Sequence, residues 1–244
     1  KGMHSITQSL YEKAVSLGVK FHFNSKVTRI NTGISKIESI EVDGRSHDAD
    51  VFVSNMDVVP FYKNLLANKK QPKKVINQER SSSALIFYWG IKKEFKKLIL
   101  HNILFSKNYK DEFDYIFNKS DVYYDPTIYI NISSKLSHND APKGNENWFV
   151  MINVPRDKGQ NWDELIAKSK KNIISKINRN FNIDLEPLIE FEDVLDPRLI
   201  EKKTGSFQGS LYGTSSNSKK SAFFRHPNFS KDIKNLYFCG GSVH

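Results

Sequence analysis

With a single cysteine, Cys239, among 244 residues, the chain can close no internal disulfide and build no cysteine-based zinc site, which favours a reducing compartment. Long apolar runs are also missing: nothing approaches the ~20 residues of a membrane-spanning helix. Stretches such as Ala84–Ile91 suit a buried strand instead. There is no Gly-x-Gly-x-x-Gly, so the chain has no dinucleotide fingerprint of its own, and no P-loop, His-Glu-x-x-His or Gly-x-Ser-x-Gly. The seven histidines are isolated. His101, inside an apolar strand, and His226, before Pro227, read as structural. No carboxylate pair stands out for acid–base work, so no catalytic residue is nominated and no metal site is expected.

What is present suffices for a sizeable core: 39% hydrophobic and 12% aromatic residues, in a length that fits one large domain or two intermediate ones. The formal net charge is +10. Solvated surface, an anionic membrane surface and nucleic acid compete to explain it. Most of the basic residues are scattered lysines, but two clusters stand out, Lys69–Lys74 and Lys92–Lys97. No aromatic–basic consensus of a single-strand-binding sheet accompanies them, so nucleic acid is not an expected partner.

Ile6, Leu10, Ala14 and Leu17 share one face of a helix predicted over His4–Leu17, which Gly18 ends. Val19–Phe23, Ser25–Ile30 and Lys36–Val42 read as strands. Asp43-Gly44 is a hairpin turn, and Asp50–Ser54 reads as a strand buried on both faces. A short helix is expected over Val58–Leu66. Strands follow at Ser82–Lys93, Leu98–Phe105, Pro126–Ser134 and Asn147–Pro155, with a short helix at Asp111–Phe117. Ile128, Ile130 and Ile132 share one strand face. Asn161 and Glu164 form a capping box for a helix with Trp162, Leu165, Ile166, Ile173 and Ile177 inward. A strand near Leu188–Val194, a helix near Pro197–Lys203 and a loop-rich stretch from Gly205 to Ser230 complete the reading. Phe87, Tyr88, Trp89, Tyr129, Trp148, Phe149 and Met151 read first as core. The alternative is a cavity lining, in which Tyr129 and Trp148 would face a substrate.

Two glycine constellations carry the functional candidates. The last residues, Asn235–His244, run from an apolar strand into Gly240-Gly241-Ser242, where a backbone without side chains can approach a phosphate or a flat cofactor. The chain is expected to stop there inside a longer motif. Gly205, Gly209 and Gly213 punctuate a polar loop. That loop reads either as a series of turns or as a surface pressed on a planar ligand, with Tyr212 offering a ring face or a hydroxyl. Ser54-Asn55-Met56-Asp57 follows a predicted strand, where open α/β sheets place ligands.

Together Gly2–Ser5, Asn24–Val27, Ser54–Tyr62, Leu211–Asn217 and Tyr237–His244 resemble bacterial-type phytoene or carotenoid desaturases, within the FAD-dependent amine-oxidase-like flavoproteins. The resemblance implies an α/β (mixed α+β) fold: part of an FAD-binding Rossmann-like domain with an inserted mixed-sheet substrate domain. It places the FAD-binding domain at residues 1–59 and 199–244 and the substrate-binding, membrane-contacting insertion at residues 60–198. It implies FAD as cofactor, with Val27, Ser54, Asn55, Gly240, Gly241 and Ser242 beside it, and an apolar polyene as substrate, met by Tyr212, Trp148 and Tyr129. The expected setting is cytoplasmic and peripheral to the membrane, the two lysine clusters docking beside Phe95 and Leu98. Expected function is FAD-dependent desaturation of a carotenoid. A related oxidase or isomerase on another apolar or amine substrate, and a non-catalytic lipid-binding module, remain the alternatives. Without a glycine fingerprint, the chain alone is expected to bind FAD weakly and to be inactive.

Overall fold

The structure, a computed structural model, describes residues 2–67, 69, 72–217 and 225–243. Lys70, Gln71 and His244, which belong to a basic cluster and to the terminal motif, lie outside the described residues. The architecture mixes helix and sheet, as expected. It divides into two compact units: Lys1–Phe52 with Ser230–Leu236, and Val53–Phe229 with Tyr237–His244.

In the first unit the helix His4–Ser16 precedes an antiparallel meander of β1 (Val27–Thr32), β2 (Ile37–Val42) and β3 (Arg45–His47). Asp43 and Gly44 turn β2 into β3 with φ of 49° and 73°, the left-handed pair a tight hairpin needs. Asn235 closes this unit by gripping Ile37 through both amide atoms, at 2.8 and 3.0 Å. Two expectations fail here. Val19–Phe23 forms no strand. Instead Phe21 and Phe23 stack on each other and lie tilted against Tyr11, with centroids 4.7–5.9 Å apart. The apolar stripe of the helix buries nothing: Ile6, Leu10 and Leu17 are 57%, 67% and 71% exposed.

β4 (Phe52–Ser54) pairs with β10 (Leu236–Phe238), so the two apolar strands from opposite ends of the sequence lie side by side. The chain passes from one unit to the other within each. Val51 and Val53 stay exposed, so the strand predicted to be buried on both faces is shorter and half-solvated.

The second unit is built on an antiparallel sheet of five strands in the order β6-β7-β8-β5-β9. These are β5 (Ser83–Ile91), β6 (His101–Leu104), β7 (Ile128–Asn131), β8 (Glu146–Val154) and β9 (Ile189–Leu195). Alternation along β5 sorts its side chains. Leu85, Phe87, Trp89 and Ile91 join Ile128, Ile130, Trp148, Val150 and Ile152 under the helix Trp162–Phe181, which inserts Trp162, Ile173 and Ile177. Ala84 and Ile86 face the other way, onto Ile200 of the helix Pro197–Thr204. A central strand covered on both faces has no polar face, which is why β5 reads as a continuous apolar run. Asn161 caps the long helix by accepting the Glu164 amide, and its own side-chain amide donates to the Glu164 carboxylate. Phe95 and Leu98, expected on the surface, pack on this core, because the Phe95 amide is tied to buried Glu146 at 2.8 Å.

Candidate functional site

The turn after β10 is held from several directions within the second unit. The Cys239 amide donates to the Ser54 carbonyl at 3.0 Å. Gly240 has φ +97°, and a side chain there would run into the Asn55 amide. Ser242 is buried, and its Oγ accepts the Val58 amide at 3.3 Å. Arg225 donates to the Gly241 carbonyl at 2.9 Å. Gly213, φ +70°, presses on Ser242 so closely that a Cβ would lie 2.8 Å from its Cα. Gly241, by contrast, has nothing within 4 Å of where a Cβ would stand. The result is a fixed backbone turn with one open glycine, the surface against which a planar group can lie.

Five of the residues singled out in the sequence, Ser54, Asn55, Gly240, Gly241 and Ser242, therefore meet in one place. Tyr212 precedes the Gly213 that packs on Ser242; it is 65% exposed, and its amide donates to Ser81 Oγ at 3.0 Å. Two others lie elsewhere. Trp148 is in the sheet core, its indole N–H on Glu146 at 2.7 Å. Tyr129 is half-buried on β7, its hydroxyl 2.8 Å from His101 Nδ1. Val27 opens β1 of the first unit, opposite Val42.

Beneath the turn lies a feature that no sequence signal announced. Asp57 caps the short turn that follows it by accepting the Val59 amide at 3.0 Å, and its other oxygen accepts the Phe207 amide at 3.2 Å. That second oxygen also receives Nη2 of Arg80, a residue 1% exposed. Burial pulls the Arg80 guanidinium below its ordinary value and Asp57 opposes the shift. An arginine in the polar run Glu79–Ser83 looks like surface from sequence alone. Only the bridge between Arg80 and Thr214 turns it inward.

His226 is a second buried polar group, and its environment makes it structural, as expected. Nδ1–H donates to the Pro227 carbonyl at 2.7 Å, so Nε2 accepts from the Tyr62 hydroxyl at 2.9 Å. Burial lowers its pKa, partly offset by the Pro227 carbonyl. A depressed folded-state pKa means the unfolded chain takes up the proton first as pH falls. Stability is therefore expected to be whole above pH about 6.5, the unfolded histidine value, and to decline below it. Thermal unfolding followed from pH 7.5 to 5 checks this. His226→Gln should flatten the slope, and an unchanged slope would remove His226 from the account.

No family model matches the chain. Among curated proteins, a 1-hydroxycarotenoid 3,4-desaturase of Flavobacterium sp. (strain P99-3) is 59% identical over 243 residues, covering all of this chain and 50% of the relative. A 4,4'-diaponeurosporene oxygenase of Staphylococcus haemolyticus (strain JCSC1435) is 34% identical over 99% of this chain and 49% of the relative. The chain thus spans about half the length of the curated relatives it matches. Among solved structures, an oxidoreductase from Methanosarcina mazei superposes with TM-score 0.59 at 15% identity, over 99% of this chain and 49% of that one. A redesigned putrescine oxidase superposes with TM-score 0.58 at 12% identity, over 98% and 47%. The motif-based resemblance is borne out: the chain is a relative of carotenoid desaturases and oxygenases, with the fold those two structures share.

Proposed function

We propose that the protein carrying this chain, a relative of the carotenoid desaturases, is an FAD-dependent oxidoreductase that desaturates a carotenoid. The observation that carries the proposal is the 59% identity to a 1-hydroxycarotenoid 3,4-desaturase along the entire chain. That identity also nominates a 1-hydroxylated carotenoid as substrate and its 3,4 bond as the one oxidised. Segments 1–59 and 199–244 would serve the cofactor and 60–198 the polyene.

The residues present fit FAD. The open glycine at 241, the φ of Gly240 and the buried Ser242 give a flat cofactor a rigid backbone to lie on. Ser54 and Asn55 flank that turn, and Val27 would meet the adenine through its backbone. Bound FAD supplies the capacity to take up two electrons. The protein's share is to fix the turn, exclude water and orient a hydrocarbon, with exposed Tyr212, next to the Gly213 that packs on Ser242, and Trp148 and Tyr129 as candidates toward the polyene. No side chain is assigned as acid or base.

Expression of the full-length protein in cells that accumulate a 1-hydroxycarotenoid tests this. Desaturation removes two hydrogens, lengthens the chromophore and shifts absorption to the red. A product heavier by oxygen would move the protein to the oxygenases, and unchanged pigment with FAD-loaded protein would sink the proposal.

A membrane-dissolved substrate also calls for membrane contact. No helix of the described residues is long and apolar enough to cross a bilayer. Ile99, Ile103 and Phe105 lie exposed along β6 and its flanks, next in sequence to Lys92–Lys97, and take the place in this proposal that Phe95 and Leu98 were expected to hold. Each lysine near an anionic surface contributes about 1 kcal/mol, decaying over a Debye length. Sedimentation with anionic vesicles is expected to exceed that with neutral ones and to weaken in salt. Equal partitioning to both would dismiss the lysines as a docking device.

A further inference from the structure

The first unit is short of a core. Among its described residues, only Ile30, Ile37, Ile233 and Leu236 are buried hydrophobics. A domain of about 60 residues is marginal even when it buries about 60% of the surface its unfolded chain exposes. The helix His4–Ser16 sharpens the deficit. It has no buried residue and no side-chain cap at its start. Helices of about 12–15 residues are marginal in water by themselves, and most helices in proteins are held by the packing of one apolar face. Here that face is uncovered.

The uncovered face has a shape and a chemistry. Leu10, Tyr11 and Ala14 of the helix, with Phe21 and Phe23 of the segment after it, line an open groove of about 670 Å³. His4, Thr7 and Gln8 complete the lining, so no lysine, arginine or carboxylate is part of it. Exposed Ile6 and Leu17 extend the apolar surface along the helix. A helix that lies on an anionic membrane carries a basic polar face. Lys13 is the one lysine or arginine of His4–Ser16, so a bilayer is a poor match. Length points to another occupant. The chain is matched along 99–100% of itself by its two curated relatives but covers only 49–50% of them. The part of each relative outside the match is therefore about as long as this chain.

We propose that this groove and the apolar helix face beside it dock the part of the full-length protein that this chain does not contain. The occupant is an apolar, uncharged face of that missing part, and the contact is intramolecular. Removing Leu10, Phe21 and Phe23 from water drives the docking, and a lining without charged side chains leaves no ion to be desolvated. The first unit thereby completes its core across the interface, and its helix gains the packing that a marginal helix needs. The inference goes beyond the flavin reading above and stands without it.

The experiment introduces single cysteines into the full-length protein and follows maleimide labelling by peptide mass spectrometry. In Leu10→Cys, labelling at that position is expected to be at least about tenfold slower in the native protein than in urea, because a covered thiol reacts only when its site opens. Ser9→Cys, on the opposite face of the helix, should label at close to its unfolded rate. Leu10→Cys labelled as fast folded as unfolded overturns the proposal. So does Ser9→Cys slowed to the same degree, since no one face is then covered. Protection that fades on dilution, or that needs added lipid vesicles, also overturns it, because a second copy or a membrane then supplies the cover. Should Leu10→Cys fail to fold, Phe23→p-benzoylphenylalanine decides. Illumination is expected to join that position to a peptide from outside this chain, and a crosslink within this chain, or none, overturns the proposal. A natural protein no longer than this chain overturns it as well. A full-length protein that shows the protection and the crosslink yet takes up no FAD would support this interface and count only against the function proposed above.

Discussion

Asp57→Ala is expected to destabilise the second unit by about 3–5 kcal/mol, the range for removing one partner of a buried ion pair. The carboxylate accepts Nη2 of Arg80 and the amides of Val59 and Phe207. Truncation strands a guanidinium that is 1% exposed and leaves both amides to find water. The loss comes mainly from the abandoned charge, so Asp57→Ala/Arg80→Met should recover a large part of it. Urea denaturation of the three variants measures this. A loss below about 1 kcal/mol would place the pair among surface ion pairs. A double variant no better than the single one would assign the cost to the two amides.

A second buried cation shows that the pair is not a peculiarity of the glycine turn. Lys176, on the buried face of the long helix, reaches Asp125 at 2.9 Å and the carbonyls of Phe105 and Pro126 at 2.8 and 2.9 Å. Burial alone would raise the Asp125 carboxyl, but the Lys107 amide and the Lys176 ammonium reverse that and hold it below the usual carboxylate range. The first pair joins two loops, and the second ties a loop to the long helix.

The sheet of the second unit was legible because its pattern obeys local rules. The isoleucines at 128, 130 and 132 alternate inward, β5 is apolar throughout because it is covered twice, and Asn161 with Glu164 marks a helix start. The first unit misled where apolar residues do not end up inside. Ile6, Leu10, Val51 and Val53 carry the periodicity of buried faces yet remain exposed, since a hydrophobic pattern says that a face seeks cover, not what covers it. Phe21 and Phe23 spend their apolar surface on Tyr11 rather than on strand pairing.

The site was legible to the extent that glycines announce it. Gly240 and Gly241, with Ser54 and Asn55, could be read because close backbone approach needs glycine and because strand ends carry ligands. Arg80 and Thr214 could not. They stand far apart in sequence and meet through one isolated bridge, and no periodicity marks such a contact. Trp148 illustrates the reverse ambiguity. An aromatic side chain on a strand suits a core and a cavity alike, and the Glu146 carboxylate that accepts its indole N–H is invisible in a linear pattern.

Gly213→Ala and Gly241→Ala should separate the structural from the cofactor role of the glycine turn. At Gly213 a methyl group would meet Ser242 Cα at 2.8 Å and the Gly241 carbonyl at 3.0 Å, in a backbone with φ +70°. Left-handed geometry costs a non-glycine residue roughly 1–2 kcal/mol, and overpacking against backbone adds about 1–3 kcal/mol. A destabilisation of about 3 kcal/mol is therefore expected, with the turn displaced and FAD uptake reduced as a consequence. At Gly241 nothing lies within 4 Å of the added carbon and φ is not positive, so folding stability should change by less than about 0.5 kcal/mol, as for a surface substitution. If the open face of Gly241 receives the flavin, that same methyl group must weaken FAD affinity, by tenfold or more, in a protein of unaltered stability. Urea unfolding combined with flavin fluorescence titration of the full-length variants reads both quantities. Full FAD affinity in Gly241→Ala would remove that face from the cofactor site, and a stable Gly213→Ala protein would show that Gly213 does not brace the turn.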